Sequence, residues 1–218
     1  MGRCGLPRAF PSCGTSSVWH VIEAEGAGAW LPLTGLLPTA TLLRMAGVAA
    51  SDANRDDFRL ISLGNERVAV LRPQLMANAP LTPTLAGRFA GQPGAWRHHI
   101  NAHVFFWTEP RRRDAFVRAS LRLRSRSVAA PSIAPPLVLA IDTAGLLRHH
   151  ASTAFVARIN TGSTVRGGAR ARRDESTFEP IARYRTGAIA ELAIRGPVLP
   201  AALFQAAITV SPHLQLLG

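Results

Sequence analysis

The sequence predicts one α+β domain over residues 18–218, preceded by an irregular leader over residues 1–17. Three observations carry this. Short runs rich in β-branched and aromatic residues alternate with segments whose apolar residues recur at helical spacing. No internal repeat is present, and no interdomain linker interrupts the mixture. With 218 residues, 47% of them hydrophobic, the chain is long enough to bury one good core.

The elements follow in order. "SVWHVIE" reads as a short strand, and "EGAGAWLPLTG" as a short helix or turn closed by Gly35. "TATLLRMAGV" has helical spacing behind a threonine suited to capping it. "ANRDDFRLISLGNERVAVLRPQ" is polar and broken, with a strand only at "RVAVLR". "LTPTLAGRFAGQPGAWRHHIN" carries turn punctuation and ends in a helix, then "AHVFFWTE" is a compact aromatic strand. An Arg-rich helix leads to "PPLVLAIDTAGLL", a buried strand running into a helix. "AFVARINTGST" is a strand and turn, "VRGGARARRDES" a basic loop, and "TFEPIARY" a short extended piece. The final stretch holds a strand around Glu191, a Pro-marked turn and a last apolar segment.

Composition limits the function classes. No apolar run reaches the roughly 18 residues needed to span a bilayer, so no membrane partner is expected. The leader lacks a continuous apolar segment after its early arginine, and Leu6 stands where a myristoylation motif needs Ser or Thr. A cytoplasmic protein is the expectation. Cys4 and Cys13 sit in that leader without a histidine or second cysteine pair, which suits free thiols or a small redox clasp rather than zinc. Net charge is +12, and every one of the 25 basic residues is arginine. Such a chain either presents a phosphate-binding face, with nucleic acid as partner, or reflects the coding bias of a GC-rich genome. His98, His99 and His103 contain an i, i+4 pair, but Asn101 and the strand starting nearby argue against one continuous helix and no third ligand is evident, so no metal is expected.

Several marks recur along the chain: His20 with Gly35-Leu36-Leu37, Arg72-Pro73-Gln74, "NAHVFFW", "VLAIDTAGLL", "INTGST", "TFEPIARY" and "AELAIRGPVLP". As a set, spanning about Val18 to Pro200, they resemble an uncharacterised bacterial domain family. More distantly, their order resembles the ADP-ribosyltransferase fold, a split β-sheet with flanking helices, in the branch of DNA-modifying toxins and their RNA 2′-phosphotransferase cousins. In that fold a first-strand histidine, a central aromatic strand and a glutamate on a late strand form the NAD site.

That resemblance implies roles. Glu191 would accept from the ribose 2′-hydroxyl and face the positive charge that develops as nicotinamide leaves, the kind of oxocarbenium state glycosidases also stabilise. His20 would hold the other ribose, Phe106 or Trp107 would stack on nicotinamide, and Arg72 would bind a pyrophosphate or else pair with a carboxylate. NAD would be the substrate and a nucleic acid or protein the acceptor, with an antitoxin left open as a partner. Each residue also has a structural role available: Glu191 at a solvent-facing strand edge, His20 as a satisfied strand histidine, "HVFFW" as a core strand. A site of this kind requires His20, Phe106 and Glu191 to converge on one cleft. The alternatives are a binding module that kept the fold without the chemistry, and a 2′-phosphotransferase using Arg97-His98-His99 for phosphate. "TEPRRRD" stands where the toxins carry an "R-S-P"-type motif.

Overall fold

Ser17–Glu23 forms the first strand, β1, whose large apolar side chains bury both of its faces. The computed structural model describes residues 17–49, 55–130, 133–164, 170–203 and 207–210, with side chains left out at 207–210. The leader with its two cysteines, and residues 165–169 of the basic loop, lie outside that set. After β1 the chain turns through α1 (Ala27–Thr34), which Gly35 ends at φ 72. A Cβ at Gly35 would meet Val198 O at 1.8 Å, so only glycine fits there. The close approach lets Leu36 and Val198 exchange backbone hydrogen bonds of 3.0 and 2.8 Å. α2 (Thr39–Met45) follows Pro38 and has no side-chain cap, so the expected threonine cap is absent.

The stretch read as polar and broken contains a strand, β2 (Arg59–Gly64), hairpinned to β3 (Arg67–Leu71). Only Ile61 and Leu63 of β2 face inward, and the turn is made by Asn65 and Glu66 at positive φ. Only two buried residues, with Gly64-Asn65 as the one turn signal, leave a weak sequence signal. Next come α3 (Asn78–Leu81), α4 (Pro93–Asn101), β4 (His103–Trp107) and α5 (Pro110–Arg124). β5 (Pro136–Asp142) runs into α6 (Thr143–His150), which Asp142 caps by accepting from Gly145 N at 2.5 Å. The "DT" mark is thereby a helix start. β6 (Ala154–Ala157), β7 (Glu179–Pro180), β8 (Glu191–Arg195) and β9 (Ala207–Val210) complete the elements.

Seven strands form one sheet in the order β7-β6-β8-β4-β1-β5-β9, every pair antiparallel. The chain is therefore α+β, as its pattern predicts. β1 pairs with β5 through seven residues, from Ser17↔Asp142 to Glu23↔Pro136, but meets β4 only at Trp19↔Trp107. Sheet alternation then divides the side chains. His20, Phe106, Leu192 and Ile194 share one face with the main core, which includes Trp30, Leu36 and Leu139. Trp19, Trp107 and Glu191 share the other, where Val117 and Phe116 of α5 pack.

Candidate functional site

Glu191 opens β8, a strand with neighbours on both sides, and is 4% exposed. It is no edge residue, which corrects the solvent-facing alternative. Its Oε2 accepts from Thr161 N at 3.0 Å and from Thr161 Oγ1 at 2.8 Å. Burial pushes the carboxyl up to about 7, against the Thr161 donors and the nearby Arg112 and Arg173, which pull it down. A group poised there can hold or release a proton at neutral pH. Across the β4 pairing stands Trp107, whose ring lies 5.1 Å from that of Phe116. Arg113 sits over Trp19 at 5.0 Å, so arginine and aromatic groups border the carboxylate's face.

The other expected site residues do not join it. Phe106 is 1% exposed inside the main core, a correction to any pocket-lining role. His20 lies on Phe106's face, their rings 5.6 Å apart. Its Nδ1 bonds Phe105 O at 2.8 Å across to β4. A carbonyl only accepts, so Nδ1 carries the proton. Burial pushes this imidazole down to about 4, with Arg72 adding to the effect and the Phe105 bond opposing it. The expected convergence of His20, Phe106 and Glu191 is thus not met: two point to one side of the sheet and the third to the other.

Arg72 takes the carboxylate-pairing option. Its Nε donates to Glu23 Oε1 at 2.6 Å and its Nη2 to Ser120 Oγ at 2.8 Å, with the guanidinium 4.7 Å over Phe116. Arg124 holds the second Glu23 oxygen at 2.7 Å. Arg97 is occupied by Met76 O and Asn78 Oδ1, and His99 packs among Phe89, Trp96 and Phe178. Two of the Arg97-His98-His99 trio are therefore committed to structure, and His98 alone lines a cleft. The Nε2 of His150 accepts from Leu199 N at 3.2 Å. No group of three or more potential metal ligands is found among the described residues, and no described helix is long and apolar enough to cross a membrane.

Thr161 is the residue missed from sequence. Its signal was present in "INTGST", a polar turn just after a strand. The marks in fact meet in pairs: Gln74 and Asn101 exchange amide hydrogen bonds of 3.2 and 3.1 Å, Phe178 stacks on His103 at 4.7 Å, and Thr161 holds Glu191.

Fold and site together define an α+β domain with a buried, titratable carboxylate on a central strand beside an aromatic wall. The chain belongs to the DUF7002 family, a family of unknown function, whose model matches residues 16–201. No curated protein and no solved structure matches it.

Proposed function

We propose that the chain is a ligand-binding module that holds NAD without the transfer chemistry, because the convergence of His20, Phe106 and Glu191 that the transferase site requires is absent. A second reading, transfer of ADP-ribose from NAD to a macromolecular acceptor, has Glu191 facing the ribose. The observation behind this second reading is Glu191 itself: a carboxyl 4% exposed, with one oxygen held by Thr161 and its proton affinity raised by burial. In a site screened from water, its ionised form would oppose the positive charge of an oxocarbenium-like transition state far more strongly than in bulk solvent. Trp107, on the same face, is the aromatic available to stack on nicotinamide. His20 and Phe106 leave this reading, since they face the opposite side. The residues therefore fit NAD in part, through a carboxylate and an aromatic wall.

The test is nicotinamide release and label transfer from adenine-labelled NAD, with single-stranded oligonucleotide and protein acceptors offered separately. Glu191→Gln keeps the side chain's size but cannot ionise, and on the transfer reading turnover should fall by about 10²-fold or more. Nicotinamide release by the wild-type chain that Glu191→Gln abolishes would overturn the binding-module reading, and absence of NAD binding would remove both readings.

The separation of His20 from Glu191 is the observation that carries the binding-module reading. That reading predicts that NAD binds and nicotinamide stays attached.

A further inference from the structure

The far end of β8 carries a cleft of about 700 Å³ between α2, α4 and the segment after β8. This volume lies within the roughly 300–1,000 Å³ of small-molecule sites. Arg44 of α2, His98 of α4 and Arg195, the last residue of β8, line it, and among the described residues no carboxylate does. Many other arginines are committed: Arg72 and Arg124 hold Glu23, and the fully buried Arg173 bonds Thr84, Ala171 and Ser163. Arg44 and Arg195 are exposed, and their side chains make no hydrogen bond or ion pair with any described residue.

The C-terminal end of α4 also borders the cleft, and its carbonyls would repel an anion. Two of them are occupied: Ala102 O accepts from Gly196 N at 2.9 Å, and His99 O from Ala102 N at 3.2 Å. The Asn101 side chain is closed off by Gln74. What faces the space is therefore cationic and donor-rich, with Thr41 adding a hydroxyl and Leu43 and Val48 an apolar wall.

We propose that this cleft binds the phosphate group of a nucleotide-sized ligand, with Arg44 and Arg195 gripping the oxygens and the apolar wall covering the remainder. Guanidinium forks match phosphate geometry, and an apolar surface beside them suits a base or sugar. The cleft is four residues along β8 from Glu191, about 13 Å at a strand's rise. It is separate from the carboxylate and does not rest on the transfer reaction.

Calorimetric titration of the full chain with AMP, adenosine, inorganic phosphate and a single-stranded hexanucleotide tests it. AMP should bind at least tenfold more tightly than adenosine or phosphate alone. Arg44→Gln and Arg195→Gln should each weaken AMP about tenfold with unchanged melting temperature, because both side chains are exposed. Glu191→Gln should leave AMP affinity unaltered, which keeps this outcome distinct from the fate of the transferase reading. Equal affinity for AMP and adenosine, or AMP binding indifferent to both arginine variants, would overturn the assignment. So would phosphate binding as tightly as AMP, or binding of the hexanucleotide alone.

Discussion

A carboxyl group lifted from 4.5 to about 7 holds its proton more tightly in the folded chain than in the unfolded one. Between those pH values unfolding releases the proton of Glu191, so stability falls as pH rises and levels off above 7, with a loss of about 3 kcal/mol. Glu191→Gln should therefore melt higher than wild type at pH 8 and equally at pH 4.5, as scanning calorimetry would read. His20 runs the other way. Its folded value near 4 lies below the ordinary 6.5, so its contribution is complete above pH 6.5 and is lost as pH falls towards 4. His20→Ala removes the Phe105 bond and the packing against Phe106, at a cost of about 2–3 kcal/mol. Unchanged NAD affinity in that variant would mark the histidine as structural. Glu191 was legible because an acid inside "AELAIR" is chemically conspicuous. The side of the sheet it faces was not, because that is set by pairing with Trp107, far away in sequence.

At the level of elements, Glu23 ties the end of β1 to α5 and to the exit of β3 through two arginines. Its side chain is buried, and Arg124 also bonds Ala134 O at 3.1 Å. Removing the acid leaves two partly buried cations without their counter-charge. Glu23→Ala should lose about 3–5 kcal/mol in urea unfolding, and Glu23→Gln less, since it can still accept one guanidinium hydrogen bond. Strands with aromatic or β-branched runs were readable in place, as "SVWHVIE", "HVFFW" and "LVLAID" illustrate. β2 was not, because alternation across two inward residues resembles an ordinary polar loop. The pairing of Gln74 with Asn101 was beyond reach for a different reason: each amide is unremarkable alone, and only the fold brings them within 3.2 Å.

For the whole molecule, charge is the property most open to test. Arg111, Arg118 and Arg122 are exposed and recur at spacings of seven and four, which aligns them along the outer side of α5. If a nucleic acid lies on that stripe, its affinity should fall steeply with salt. Replacing all three by Gln should flatten the log–log salt slope by about 3. A slope unmoved by the triple variant would assign the charge to coding bias. The α+β class was readable from pattern, whereas strand order arises from pairings as remote as Trp19 with Trp107. With that one ladder pair and the His20 bond to Phe105 O joining them, β1 with β5 and β9, and β4 with β8, β6 and β7, should part at this seam before either block opens. Amides of β1 bonded to β5 should exchange with deuterium only on global unfolding, while those along the β4 edge exchange through brief local parting. Any molecule that lodges across this seam should slow exchange on both blocks at once.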